Sequence, residues 1–130
     1  MPELKDKLVE AVAKLIQLTQ ENKIKWSSDE PPDNLKGDAN DYVETIFLTK
    51  HENKNLRLYE RMYKVEVAPM LQVLSSYNSH WKSEVNLEIL DSAHNNIWTF
   101  PLVTPLNDLL ESVRYQVADV NDFIEGLLKD

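Results

Sequence analysis

The chain of 130 residues contains no cysteine. Disulfide bonds, thiolate metal sites and a cysteine nucleophile are therefore excluded. The absence also fits a reducing compartment. The N-terminal residues are charged from Glu3 onward and lack the apolar segment of a secretion signal. We therefore expect a cytoplasmic protein.

Glycine and histidine are also scarce, which removes most common catalytic and nucleotide-binding motifs. The two glycines, Gly37 and Gly126, cannot form a P-loop or a GxGxxG fingerprint, and no serine lies in a GxSxG elbow. The three histidines, His51, His80 and His94, lie far apart and show no metal-ligand spacing. We expect no enzyme activity, no bound metal and no cofactor.

Long apolar runs and excess positive charge are missing as well. No stretch of about 18 apolar residues occurs, so we expect no membrane span. Fourteen basic residues against twenty-two acidic ones give a net charge of -8, which disfavours binding to nucleic acid or anionic lipid. Residues 91–130 hold only two basic side chains but seven acidic ones. A partner for this region would be basic.

The first forty residues predict one helix and one loop. Apolar residues recur at spacings of three and four from Leu4 onward, which predicts an amphipathic helix over residues 2–21. Residues 24–26 are apolar enough for a short strand. Residues 27–40 contain two prolines, a glycine and many turn-forming residues, which predict a flexible loop.

Two strands follow this loop. Apolar and polar residues alternate over 41–49 and again over 55–67, which is the two-residue period of a strand. The four residues from Lys50 to Asn53 have the length of a hairpin loop. Pro69 ends the second strand, and residues 68–80 are interpreted as an irregular insertion.

The clearest hairpin spans residues 81–100. Val85, Leu87 and Ile89 alternate with polar residues and would face the core. Residues 91–96 are Asp, Ser, Ala, His and Asn, which favour a reversal of the chain. A short second strand would then end before Pro101, which cannot donate to a ladder.

The C-terminal region predicts one long helix or two shorter ones. Thr104 followed by Pro105 is typical of a helix start, with the hydroxyl as a cap. A buried stripe at helical spacing would contain Leu106, Leu109, Leu110, Val113 and Val117. Val120, Phe123, Ile124, Leu127 and Leu128 continue the same spacing. We favour a break at Asp119, because Asp and Asn side chains there compete for the backbone.

Together these elements predict a single α+β domain over residues 1–130. A four- to five-stranded antiparallel meander would form one layer, with the N-terminal helix and the C-terminal helix or helix pair packed on one face. The length is sufficient for one hydrophobic core.

Four segments resemble a group of small bacterial proteins with this order of helix, meander and helix. The segments are LRLYE at 56–60, LEILD at 87–91, IWTFP at 97–101 and DLLESVRYQVADVNDFI at 108–124. The resemblance implies a bacterial origin and the domain boundaries, and it implies no activity and no functional residue.

The one locally basic stretch of the acidic chain is the candidate site. Arg57, Tyr59, Arg61 and Tyr63 alternate along one predicted strand and would share one face. With Thr45 and Phe47 as cross-strand neighbours, this Arg/Tyr set would offer guanidinium forks and aromatic rings to an anionic or planar ligand. Alternatively, the four side chains coat an open sheet face and pair with Glu44 or Glu88.

Two functional classes follow. The first is a non-catalytic bacterial protein-interaction module of the adaptor, immunity or defence- and phage-modulator type. It would use the exposed sheet face or the acidic C-terminal helices to hold a protein partner, which could be basic or a second copy. The second is a domain that binds or senses a small ligand on the Arg/Tyr set. A deep polar pocket would favour the second class, and an exposed apolar patch would favour the first.

Overall fold

The protein is an α+β domain with an antiparallel sheet and helices at both ends of the chain, as the sequence predicts. The computed structural model describes residues 2–66 and 79–129. The elements in chain order are α1 (Pro2–Gln20), β1 (Ser27–Asp29), α2 (Asp33–Lys36), β2 (Asp41–His51), β3 (Lys54–Glu66), β4 (Ser79–Leu90), β5 (Asn96–Thr99), α3 (Pro105–Val117) and α4 (Val120–Lys129).

The five strands within the described residues form one sheet in the order β1-β2-β3-β4-β5. Each strand pairs antiparallel with the strand that follows it in the chain. This order confirms the predicted meander. The central pair of β3 and β4 keeps an unbroken register from Asn55 opposite Leu90 to Glu66 opposite Ser79.

The hydrophobic core lies between one sheet face and the two helices α1 and α3. Leu58 and Leu87 are directly opposite each other on β3 and β4, and both are fully buried. Across the interface they meet the stripe of α3, in which Leu109 and Val113 are equally buried. The predicted inward positions of Val85, Leu87 and Ile89 are confirmed. Full burial of each such side chain contributes about 1.5–3 kcal/mol.

Residues 24–26 do not form the predicted strand, because their backbone groups bond to a side chain of α3. Gln116 accepts the backbone N–H of Trp26 with Oε1 at 2.8 Å and donates from Nε2 to the Ile24 carbonyl at 2.7 Å. The indole N–H of Trp26 donates to the Thr19 hydroxyl at 3.0 Å. Strand β1 therefore begins only at Ser27.

The predicted loop over residues 27–40 is partly regular structure. This segment contains β1 and α2, and Leu35 of α2 packs against Val43 and Ile46 on the second face of the sheet, the face opposite α1 and α3. Gly37 has a φ of 67°, and a Cβ there would overlap the Asp41 carbonyl oxygen. The turn-forming residues thus make tight turns, and an apolar contact on the second face attaches the segment to the sheet.

The predicted irregular insertion at 68–80 falls mostly outside the described residues, which resume at Ser79. The prediction is wrong for the last two residues of this segment, because Ser79 and His80 belong to β4. They pair with Glu66 and Val65 of β3. The strand therefore starts two residues before the predicted hairpin.

Two chain reversals that the sequence predicts follow from local turn chemistry. Between β2 and β3, only Glu52 and Asn53 form the turn, with φ values of 49° and 65°. Positive φ at both central residues is the feature of the type I′ hairpin turn. Between β4 and β5, the Asp91 carboxylate accepts the backbone N–H groups of Ala93 and Asn95, both at 2.9 Å. Both predicted reversals are confirmed.

The C-terminal helix breaks where the sequence predicts it. Asp119 has a φ of 51° and lies between the end of α3 and the start of α4. Thr104 does not provide the predicted hydroxyl cap. Its backbone has helical φ and ψ angles, and its side chain makes no capping bond to the described residues. Instead, the backbone N–H of Leu106 donates to the Val103 carbonyl at 3.1 Å.

Candidate functional site

The Arg/Tyr set lies along β3 on the second face of the sheet. Its members alternate with core residues such as Leu58, so their side chains point away from α1 and α3. On β4, the residues opposite Arg57 and Arg61 are Glu88 and Glu84. Phe47 is not the cross-strand neighbour of the Arg/Tyr set that the sequence predicts, because it pairs with Leu58 and lies in the core.

Arg57 and Tyr59 are not on an open surface, and this corrects the expected exposed platform. Arg57 is 4% exposed, and Tyr59 and Glu88 are each 6% exposed. Arg57 Nε donates to Glu88 Oε1 at 2.6 Å, while the Tyr59 hydroxyl donates to Glu88 Oε2 at 2.9 Å. The alternative pairing of Arg57 with Glu88 is therefore the one that the structure contains.

The buried environment also sets the protonation of Tyr59. Burial, and secondly the negative charge of Glu88, raise the pKa of the Tyr59 hydroxyl above its ordinary value. Tyr59 therefore stays neutral and remains a hydrogen-bond donor to Glu88. One carboxylate thus binds two neighbours within the same sheet face, which explains why these polar groups tolerate burial.

Arg61 is half-buried and makes bonds to two carboxylates. Its Nε donates to Asp41 Oδ1 at 2.8 Å, and its Nη1 donates to Glu84 Oε1 at 2.9 Å. Its Cζ lies 4.6 Å from the centre of the Tyr63 ring. The hydrogen bonds from Arg61 lower the pKa of Asp41, and the same bonds raise the pKa of Arg61. Of the two partners considered for the set, Glu44 or Glu88, it is Glu88 that binds Arg57 and Tyr59, whereas Glu44 lies at the register shift between Val43 and Ile46.

The structure therefore brings the Arg/Tyr set together but leaves it little positive charge for a ligand. Arg57 is matched by Glu88, and Arg61 is matched by two carboxylates. Within the described residues, the guanidinium groups of Arg57 and Arg61 both bind carboxylates of the same chain. Binding of an anionic or planar ligand at these four residues remains a prediction.

The most exposed apolar surface of the described residues is on α4. We define its apolar face as Phe123, Ile124, Leu127 and Leu128, which are 66%, 42%, 59% and 81% exposed. None of the ten residues of α4 is buried, although the helix is strongly amphipathic. This contrasts with α3, where the corresponding stripe contains four buried residues.

The break at Asp119 explains this difference between the two helices. Left-handed backbone at Asp119 changes the direction of the chain between Val117 and Val120. The side chains of α4 consequently leave the line of the α3 stripe, and α4 contacts α3 without burying residues against the sheet. Sequence spacing alone places the apolar residues of α3 and α4 on one continuous stripe. Periodicity does not indicate that the direction of the helix axis changes between the two helices.

The surroundings of α4 are acidic. A cleft of about 890 Å³ lies between the end of α1, α3 and the start of α4, and its walls include Glu111, Asp119 and Asp122. The basic residue in its lining, Arg114, contacts Glu60 at 3.2 Å and Glu111 at 3.8 Å. The cleft at the start of α4 is therefore mainly negative, and none of the four residues of the apolar face lines it.

Neither a metal site nor a membrane-spanning helix is found in the described parts of the chain. No group of three His, Cys, Asp or Glu residues there is placed to hold a metal ion. His51 ends β2, His80 lies in β4, and His94 lies in the turn before β5. Over the same residues, every helix is too short or too polar to cross a bilayer.

The class that the fold and surfaces define is an α+β domain with an antiparallel five-stranded sheet, as far as the structure describes the chain. No protein-family model matches the chain, and no curated protein or solved structure shows significant similarity to it. The resemblance to small bacterial proteins remains an expectation. A functional interpretation consequently depends on the geometry alone.

Proposed function

We propose that this protein is a non-catalytic, cytoplasmic protein-interaction module that docks a partner through the apolar face of α4. The observation that carries the proposal is the exposure of four large apolar side chains on one helix that buries no residue of its own. The absence of cysteine supports a reducing compartment. An adaptor, an immunity protein or a defence modulator has this kind of role.

The exposed face supplies a driving force for association. Burial of each leucine, isoleucine or phenylalanine side chain contributes about 1.5–3 kcal/mol. A helix of ten residues is marginal in water without packing. A groove on a partner would bury the apolar face and stabilise the helix at once, which is the helix-in-groove mode of recognition.

Two other surfaces are weaker candidates for binding a partner or ligand. The Arg/Tyr set, on which a small-ligand domain would depend, has its guanidinium groups paired with carboxylates. The outer strand β5 exposes Ile97 and Trp98, but it has only four residues and is followed by Pro101. Short edge strands and adjacent prolines hinder the addition of a further strand.

The test is site-directed photocrosslinking in the native cells. A photoreactive phenylalanine analogue replaces Leu127 on the apolar face, and a matched protein carries it at Glu10, an exposed position on α1. We expect an adduct of discrete mass from position 127, lost when Phe123→Ser is added, and no such adduct from position 10.

Circular dichroism of each protein checks that the fold is retained. Adducts that are the same from both positions, or that persist after Phe123→Ser, would contradict the proposal. So would an adduct within the same chain, because the face would then be covered internally.

A further inference from the structure

The two C-terminal helices α3 and α4 are separated only by Ala118 and Asp119. Asp119 is left-handed with a φ of 51°, whereas Ala118 has a φ of -81° and a ψ of 0°. Left-handed backbone costs free energy for residues other than glycine, although aspartate tolerates it better than most. The change of direction between the helices therefore depends on the backbone angles of two neighbouring residues.

The sequence around the break does not prevent a continuous helix. Proline, which cannot continue a helix, and glycine, which commonly ends one, are both absent from residues 106–125. The apolar spacing of three and four continues from Val117 to Val120 and Ile124. The sequence therefore permits one helix over residues 105–129 as well as two shorter ones.

Backbone hydrogen bonds at the break indicate what a continuous helix would gain. Such a helix would pair the N–H groups of residues 120–122 with the carbonyls four residues earlier. In the structure, the Asp119 N–H donates to the Gln116 carbonyl at 3.1 Å, and the next bond of this kind runs from the Phe123 N–H to the Asp119 carbonyl at 3.1 Å. Within the described chain, the helical bonds of residues 120–122 are thus absent. This segment is largely exposed, and water satisfies exposed polar groups, so the gain from each bond is modest.

Tertiary contacts hold the broken form only weakly. No residue of α4 is buried, and Val120 at its start is the single half-buried side chain of this helix. Val117, the last residue of α3, packs against the core. The core therefore fixes the position of α3 but contributes little to the direction of α4.

We infer that Asp119 is a hinge at which α3 and α4 interconvert between the broken form and one continuous helix. Left-handed backbone and the absent hydrogen bonds disfavour the broken form, whereas contacts between α4 and α3 favour it. Because these opposing contributions are local and small, both forms are populated in the free protein. In the continuous form the apolar face of α4 lies in line with the buried stripe of α3. The hinge thus sets the direction in which this face is presented, and its consequence for docking rests on the proposed function.

Distances between two spin labels in the free, full chain test the hinge. The chain has no cysteine, so Asn107→Cys with Glu125→Cys places one label at an exposed position on each helix. In a continuous helix these positions lie on the same side, about five turns or about 27 Å apart, and a bend brings them closer. We expect two distances with Asp119 in place, one of about 27 Å and one shorter. A single distance, whether short or long, would overturn the inference.

Substitutions at Asp119 should shift the ratio of the two distances in opposite directions. Asp119→Ala disfavours left-handed backbone and favours helix, so the long distance should gain about fivefold over the short one. Asp119→Gly removes the left-handed penalty and should lower the same ratio about fivefold. The matched control, Asn121→Ala, changes a residue that is helical in both forms and should leave the ratio unchanged. Equal ratios in all of these proteins would contradict a hinge at Asp119.

Amide hydrogen exchange supplies a second measurement, which needs no label. Residues 120–122 donate helical bonds only in the continuous form. Their exchange should therefore slow in Asp119→Ala and accelerate in Asp119→Gly, while exchange in β3 stays unchanged and shows that the fold is retained. Exchange at residues 120–122 that is the same in both variants would contradict the interconversion.

The outcomes separate the hinge from the proposed function. If two distances occur and respond to Asp119, but position 127 forms no adduct in cells, the docking role is wrong and the hinge stands. If only one distance occurs while position 127 still crosslinks to another protein, the hinge is wrong and docking by α4 stands.

Discussion

At the scale of single residues, the most informative group is the buried set of Arg57, Tyr59 and Glu88. Alternation along β3 places Arg57 and Tyr59 on one face, and the register of β4 brings Glu88 between them. A basic residue on a strand of an acidic chain suggests a ligand site when the sequence is considered alone. The bonds at 2.6 Å and 2.9 Å show instead that these side chains bind one another.

The first prediction concerns the removal of one charge from this group. Arg57→Met should lower the free energy of unfolding by about 3–5 kcal/mol, because Glu88 would keep a buried charge without its partner. Adding Glu88→Gln should recover much of this loss, since glutamine is neutral and still accepts from the Tyr59 hydroxyl. Urea denaturation of both variants measures the difference.

Arg114→Met is the control for this measurement. Its contacts with Glu60 and Glu111 are largely exposed, so it should lose no more than about 1 kcal/mol. A loss at Arg57 as small as the loss at Arg114 would show that the buried pair adds nothing specific to stability.

The second prediction concerns Tyr59 at high pH. Because the pKa of Tyr59 is raised in the folded protein, its contribution to stability is fully present below the unfolded pKa of about 10 and is lost as the pH rises toward the folded value. The free energy of unfolding should therefore fall with pH above about 10. In Tyr59→Phe this fall should be shallower. Equal slopes for the two proteins would show that Tyr59 does not ionise on unfolding.

At the scale of elements, local chemistry explains where strands and helices end. The Glu52–Asn53 turn needs two left-handed residues, and the Asp91 carboxylate closes the turn before β5. Gln116 holds residues 24–26 against α3, and one side chain thereby connects α1, the following segment and α3. Such side-chain contacts do not recur at a regular spacing, so the pattern of apolar and polar residues in the sequence does not predict them.

The third prediction concerns the Glu52–Asn53 turn. Glutamate is strained at a φ of 49°, whereas asparagine and glycine adopt such angles easily. Glu52→Asn with Asn53→Gly should therefore raise the free energy of unfolding by about 1 kcal/mol. Asn53→Val, which places a β-branched residue at positive φ, should lower it. Thermal denaturation compares the two, and the opposite order would contradict the assigned turn.

At the scale of the whole molecule, stability is unevenly distributed. Strand β3 lies between two neighbours and contributes Leu56 and Leu58 to the core, whereas α4 contributes no buried residue. Regions with few buried contacts open locally at low free-energy cost. The part of the molecule proposed to bind a partner is therefore also the part that the core stabilises least.

The fourth prediction follows from this distribution and is measured by native-state hydrogen exchange. Amides of β3 and its neighbour β4 should exchange slowest, close to the limit set by global unfolding, and those of α4 should exchange fastest among the longer helices. A bound partner should slow exchange mainly in α4. Protection of α4 equal to that of β3 in the free protein would show that the helix is stabilised by other contacts.

Much of the architecture was predictable, whereas the candidate surfaces were not. The helical period of α1, the alternation of Val85, Leu87 and Ile89, and the break at Asp119 are all local signals and are confirmed, although Leu4 at the start of the predicted α1 stripe is exposed. The order within residues 27–40 and the burial of the Arg/Tyr set were missed. Both depend on the second face of the sheet, where Leu35 meets residues from β2 and β3.

The sequence by itself determined the kind and order of the elements, because helical and strand periodicity and turn chemistry act between residues close in the chain. Only the tertiary structure decided which side chains are free to meet a partner. Glu88 on another strand binds both Arg57 and Tyr59, and the helix α4, although amphipathic, buries no residue against the rest of the described chain. Exposure depends on contacts between distant segments, and no local pattern encodes those contacts.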